Sequence, residues 1–182
     1  YMAVGGTIVY GPQNNLHLLP LSLLGTIVST FVWIAIVLAI GTISKSSLMA
    51  ALGTFGIFIA LTISSPIIST FTDQAWILNY VPGSGTTGFI NGTSSQTPYM
   101  PGIAIATGTD NIATNIINYA LYPSANVTFL KIGTMMPGQP IQILYEEPLS
   151  LILLRSVAVA LTYIFIFLSV SWFAFKSAQV LE

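Results

Sequence analysis

The chain has 182 residues, of which 54% are hydrophobic and only 5% charged, with a mean hydropathy of +0.84 and a formal net charge of −1. A soluble domain is nearer one quarter charged, so an ordinary water-facing surface cannot be covered and much of the exterior has to face lipid. The four cations, Lys45, Lys131, Arg155 and Lys176, are scattered, which excludes nucleic acid as a partner, and the lack of cysteine excludes disulfides, thiolate metal sites, iron–sulfur clusters and cysteine nucleophiles.

Residues 1–17 read as an outer segment or the end of a preceding span. The chain opens on Tyr1, with no charged region or small-residue cleavage site ahead of the first apolar stretch. No signal peptide is read there, and an amino-terminal portion is expected to precede it. Charge spacing then locates the spans, because a charge near mid-bilayer costs several kcal/mol while Ser, Thr and Gly cost far less. Residues 18–44, 46–72 and 156–175 contain no Asp, Glu, Lys or Arg, and each stretch reaches the ~20 residues that a helix needs to cross. The first two are joined only by Ile43-Ser44-Lys45-Ser46-Ser47, so residues 18–72 are expected to form a transmembrane helical hairpin. Gly53 and Gly56 would let another helix approach closely, and Ser64-Ser65-Pro66 is expected to close the second span.

From residue 73 to residue 147 the composition shifts to Gly, Pro, Asn, Ser and Thr, with turn markers at Pro82-Gly83, Pro101-Gly102 and Pro137-Gly138. This reads as a loop domain with little core of its own. Inside it, Asp110 is placed to cap a helix over residues 111–122. Ile112, Ala113, Ile116, Ile117, Ala120 and Leu121 form its apolar stripe, with Asn111, Thr114, Asn115 and Asn118 opposite and Pro123 as its stop. Such a helix lies on the membrane, on the outer end of the bundle, or on neighbouring loop. Residues 148–182 complete the chain as a final span, from about Leu149 to Phe175, and a short tail.

Lys45 in the hairpin turn and Lys176 after the last span fall on one side if the intervening loop lies on the other, and the positive-inside rule makes that side cytoplasmic. Two acceptor sequons, Asn91-Gly92-Thr93 and Asn126-Val127-Thr128, lie in the loop, and an extracytoplasmic loop would expose both Asn91 and Asn126 to glycosylation. Attached glycan, amides and hydroxyls would hydrate a loop that carries very little charge.

Few residues suggest chemistry. Gly83-Ser84-Gly85-Thr86-Thr87-Gly88 matches the dinucleotide pattern GxGxxG, but Pro82 precedes it and no apolar-periodic helix follows, so a flexible turn is the better reading. Glu146 and Glu147 are adjacent and point in different directions, unlike an acid/base couple. Arg155, about two helical turns beyond, is within reach of one of them. It is the one charge set inside apolar sequence, which makes it either a functional intramembrane charge or a residue snorkelling to the outer surface. His17 with Met135-Met136 makes no defined metal site, and no cofactor is assigned. No GxxxxGK[ST] motif occurs, so the chain is not read as an enzyme and does not itself hydrolyse ATP.

Leu18-Leu19-Pro20-Leu21-Ser22-Leu23-Leu24 opening a long apolar helix, then Ile43-Ser44-Lys45-Ser46-Ser47-Leu48-Met49-Ala50-Ala51 opening the next, resembles the permease subunits of type-2 ABC transporters. Those subunits commonly carry an S-x-S-S-x-x-A turn between two cytoplasm-facing helix ends. Ser169-Val170-Ser171-Trp172-Phe173-Ala174-Phe175-Lys176-Ser177-Ala178 is similar to their aromatic-rich final helix and short basic tail. The resemblance is to the carboxy-terminal half and implies a separate ATP-binding subunit. The expected fold is an all-α, multi-pass protein of the cell membrane with about three transmembrane helices, embedded in the lipid bilayer beside other membrane subunits. The function the resemblance implies is the membrane-spanning part of an ABC-type export permease. The alternatives are a non-catalytic accessory subunit of a larger membrane complex, such as a respiratory one, and an envelope structural protein.

Overall fold

The computed structural model describes residues 18–72, 75–90, 103–130 and 143–179. Among the described residues three helices are long and apolar enough to span a membrane: α1 (Leu18–Ser44), α2 (Ser47–Thr72) and α4 (Leu149–Gln179). The chain reverses between α1 and α2 at Lys45, whose φ of 53° is the left-handed conformation that ends a helix. Gly53 faces Ile40, where an added Cβ would sit 3.0 Å from the Ile40 Cγ2, and Gly41 faces Ala50. Gly56 meets nothing within 4 Å, so only the first of the two small positions expected at a helix contact has one.

Pro66 does not end α2, as the sequence suggested; the helix runs through it to Thr72. A proline removes one ladder bond, and a helix of 26 residues keeps the turns on either side of it. Neighbouring hydroxyls reinforce that stretch, with Thr62 Oγ1 donating to the Phe58 carbonyl and Ser65 Oγ to that of Leu61.

The segment between α2 and α4 is where the expectation of an all-α chain needs correction. It contains a four-stranded antiparallel sheet of β1 (Thr87–Ile90), β2 (Ile103–Ala106), β3 (Asn126–Leu130) and β4 (Ile143–Pro148), in the order β2-β1-β3-β4. The period-2 signal is hidden because the strands are four to six residues long and set among turn formers. Nor is this a loop without a core. Ile105, Ile90, Val127 and Phe129 share one face and are buried against Leu149 and Ile152 at the start of α4. Gly88 lies between β-neighbours on that face, and an added Cβ would meet Val127 Cγ1 at 2.5 Å. The Phe129 ring stacks on Tyr145 of β4 at 4.5 Å between centroids.

Between β2 and β3 stands the short amphipathic helix, α3 (Ile112–Leu121), preceded by a 3-10 turn at Thr109–Asn111. Asp110 does not cap it: the helix starts after Asn111 with no side-chain cap, and Asp110 accepts instead from the Thr109 hydroxyl at 3.1 Å. Of the three alternatives for its position, α3 packs on the bundle, against α1 and α4 through Ile112, Val32, Ile36 and Ala160. Gly25 of α1 makes this possible, since an added Cβ there would lie 2.7 Å from the Ala113 Cα. Asn115, assigned to the polar face, is fully buried and donates to the Ala106 carbonyl at 3.2 Å, tying α3 to the edge of β2.

Candidate functional site: the polar seam between lobe and helices

Alternation along β4 decides which carboxylate faces the helices. Tyr145 and Glu147 share the face that covers the core, whereas Glu146 lies on the other and accepts from Thr128 Oγ1 at 3.0 Å across the register. β4 passes directly into α4 at Pro148, a residue whose fixed φ and missing N–H suit the entry to a helix. Arg155 stands about 9 Å further along that helix, and its guanidinium closes the corner. Nη1 donates to Glu147 Oε1 at 2.9 Å and Nη2 to Oε2 at 2.8 Å, a bidentate fork with the two side chains 15% and 21% exposed. Largely withdrawn from water, the pair fixes the angle between strand and helix.

Two tyrosines complete the corner. The Arg155 Cζ lies 6.0 Å from the centre of the Tyr80 ring, within reach of the ring's negative face. Burial, with the charge of Glu147, raises the Tyr145 phenol above its usual value, against smaller opposing effects of Asn79 and Arg155. The Asn79 amide lies beside that phenol, yet no hydrogen bond of ordinary geometry serves Asn79 Nδ2, Tyr145 Oη or Arg155 Nε. Asn79 Oδ1 accepts from the Thr107 hydroxyl, which itself accepts from Thr86 N–H at 2.9 Å. Turning the Asn79 amide over would let Nδ2 donate to Thr107 Oγ1 and Oδ1 accept from Tyr145, satisfying two of the three groups at once.

Below this corner the chain makes a tight crossing. After α2 a 3-10 helix, Ala75–Tyr80, leads into a turn at Gly83, whose φ is +77° and whose Cβ position abuts Trp33 of α1 and Phe58 of α2. Gly85 and Gly108 then pass backbone to backbone: a Cβ on Gly85 would lie 1.9 Å from the Thr107 carbonyl oxygen, and one on Gly108 2.2 Å from that of Ser84. The glycines of the GxGxxG pattern thus serve a turn, a chain crossing and a sheet face. The flexible turn expected there is a packed one that runs into β1, and no helix follows it as a pyrophosphate cradle requires. Helix hydroxyls clamp the crossing from outside, with Ser29 Oγ donating to the Thr109 carbonyl at 2.7 Å and Tyr163 Oη to that of Tyr80 at 2.9 Å.

The seam therefore unites Arg155 and Glu147 with residues the sequence did not single out: Asn79, Tyr80, Thr86, Thr107 and Tyr145. Their one advance signal was glycine on either side of a threonine pair, at Gly85-Thr86 and Thr107-Gly108. Asn126 is exposed at the start of β3, while Thr128, which completes its sequon, is buried in the sheet. Asn91, His17, Met135 and Met136 lie outside the described residues, and no group of three or more metal-ligating side chains occurs among those described. What the seam can do chemically is hold a lobe on three helices by hydrogen bonds, one ion pair and close backbone contact. Compared with protein-family models, curated proteins and solved structures, the chain finds no match.

Proposed function

We propose that this chain is the membrane-spanning part of an ABC-type export permease, working with a separate ATP-binding subunit. The observation that carries the reading is the order and grouping of its parts. An apolar hairpin reverses at Lys45, a lobe packs at the opposite end of the helices, and one more apolar helix ends near Lys176. That order is similar to the carboxy-terminal half of a six-span permease. By the positive-inside rule the two lysines lie in the cytoplasm, and the lobe, with Asn91 and Asn126, lies outside.

The second reading, an accessory subunit of a larger membrane complex, has its own support. In α2 only 6% of the apolar window is buried within the chain, which leaves a broad face for lipid or for partner helices. Purification of the tagged chain from its source in mild detergent separates the two. The permease reading expects a copurifying subunit that binds and hydrolyses ATP. A stoichiometric complex of membrane subunits without ATPase activity overturns it in favour of the accessory role. Sidedness has a separate check: Ser46→Cys and Ser177→Cys should resist an impermeant thiol reagent in intact cells, whereas Ser124→Cys, on the lobe, should react.

A further inference from the structure

We infer that the crossing formed by residues 75–86 and 107–111 is seated below the outer headgroup layer, touching lipid acyl chains through Trp76 and Tyr80. The inference rests on the membrane-spanning reading above and adds a depth to it. Thr42 Oγ1 and Ser171 Oγ are 3.4 Å apart, so the cytoplasmic ends of α1 and α4 lie at nearly one level and heights can be counted from Lys45 and Lys176 at 1.5 Å per residue. On that scale Leu149, on which the sheet sits, is about 40 Å up, and Gly25, against which α3 rests, is about 30 Å up. Trp33, Phe58 and Tyr163, which hold the crossing, are only about 18–20 Å up, and Ser29 about 24 Å. Trp33 and Tyr163 point towards their helix N-termini, adding a few Å of height. The hydrocarbon layer is about 30 Å thick, so sheet, α3 and crossing fall respectively above, at and beneath its outer boundary.

Non-helical backbone is tolerated at such depth only when its polar groups are satisfied within the protein, and six carbonyls of the crossing have such partners. The Leu78 and Val81 carbonyls accept from Ser84 Oγ, that of Tyr80 from Tyr163, that of Thr86 from Thr107 N–H, that of Thr107 from Asn111 Nδ2 and that of Thr109 from Ser29. Facing outward between this level and that of Arg155, which is about 31 Å up on the same scale and 6.0 Å from the Tyr80 ring, are aromatic rings, Trp76 and Tyr80, packed edge to face at 5.9 Å and each nearly half exposed. No Lys, Arg, Asp or Glu occurs in residues 75–90, and the one charged residue of the crossing, the exposed Asp110, follows Thr109 at its upper edge beside Ser29. The exposed face of α1 stays apolar up to Leu19 and that of α4 to Leu151, so the apolar belt extends above the crossing on both flanking helices. The occupant that fits this rim is the outer leaflet itself.

The chain has no cysteine, so single nitroxide labels can be placed without background. The full chain, reconstituted in phosphatidylcholine vesicles, would carry Trp76→Cys, Tyr80→Cys, Phe165→Cys or Ser124→Cys, with relaxation measured against oxygen and a water-soluble nickel chelate on both sides. Phe165 is an exposed mid-helix reference for lipid, and Ser124 an exposed reference for water. The expected result is a nickel collision rate at positions 76 and 80 about tenfold below that at 124 and close to that at 165, because polar solutes are excluded from hydrocarbon. Lipid-like behaviour at 165 with water-like behaviour at 76 and 80 overturns this inference and leaves the spanning reading standing. Water-like behaviour at 165 overturns both. If a labelled variant fails to fold, the native Trp76, left as the only tryptophan by Trp33→Phe and Trp172→Phe, gives the same answer through quenching by lipids brominated along the acyl chain. Absence of quenching at every bromine position counts against the seat in lipid.

Discussion

The helices α1 and α2 are both long and apolar, yet they live in different surroundings. A third of the apolar window of α1 is buried inside the chain, against 6% for α2. One side of α1 carries Gly25, Ser29, Val32, Ala35, Ile36 and Ala39, and of these Gly25, Val32, Ala35, Ile36 and Ala39 are fully buried. Small residues there let α3 and the crossing come close, and the branched ones fill the space between them. The contact of α2 with α1 has Ala50 and Gly53 beside the turn, and much of its length shows Leu52, Phe55, Phe58, Ile63, Ile67 and Ile68 outward. Apolarity tells a helix to leave water; the size of its side chains, position by position, tells it what else it can touch.

The sharpest way to break that contrast is at Gly25. Gly25→Leu would drive a side chain into the α3 backbone, where neither partner is a flexible tip. Overpacking of this kind costs typically 1–3 kcal/mol and here should reach about 3 kcal/mol or more. The measurement is thermal unfolding in detergent, and a variant that melts with the parent would show that α3 is not clamped on α1.

A smaller effect is expected at the corner. Glu147→Gln leaves Arg155 without its carboxylate. Breaking a fully buried pair costs about 3–5 kcal/mol; with both side chains partly exposed, about 1–3 kcal/mol is expected after allowing for solvent screening. Combining it with Arg155→Met should restore much of the loss, since the uncompensated charge is then gone. A double variant as unstable as the sum of the two singles would mean the fork contributes nothing as a unit. Smaller again, and confined to alkaline solution, is the contribution of Tyr145. Its folded-state phenol holds its proton more tightly than the unfolded chain does, so the stabilisation is complete below the ordinary tyrosine value near pH 10 and is lost as pH rises through the higher folded value. Unfolding midpoints taken across that range should fall less steeply for Tyr145→Phe than for the parent.

The sequence displayed these regions unequally, for physical reasons. Spans are written in long runs, so the charge-free stretches bounded by Lys45 and Lys176 located α1, α2 and most of α4. The Glu147–Arg155 approach was foreseeable because both lie on one short stretch of chain. The sheet was not, since β1 pairs with β3 across nearly forty residues and a four-residue strand such as Thr87–Ile90 carries too few positions to show a period. Asn115 misled for a related reason: a polar side chain on the wrong face looks solvated until its acceptor, the Ala106 carbonyl, is supplied by a strand elsewhere. Pro66 misled because a proline costs a long helix one ladder bond and not the turns on either side of it, so α2 runs on to Thr72.

The least effect, and the most direct comparison with Gly25, is expected at Gly56. Both are glycines in the middle of apolar helices, so sequence offers no way to rank them. An added Cβ at Gly56 meets nothing within 4 Å, and its neighbours Phe55, Ile57 and Phe58 are exposed. Gly56→Leu should therefore change the unfolding temperature very little, within about 0.5 kcal/mol of the parent as for surface substitutions generally. Any shift should be towards stability, because glycine is the poorer helix former. The same exchange at Gly53, where the added Cβ would meet the flexible end of Ile40 at 3.0 Å, should fall between the two extremes. Thermal unfolding of the three leucine variants side by side gives the test. The order expected is 25 worst, 53 intermediate and 56 unchanged, and a large loss at 56 in the purified chain would mean that its exposed face packs against something other than detergent, a second helix of this chain or of a partner.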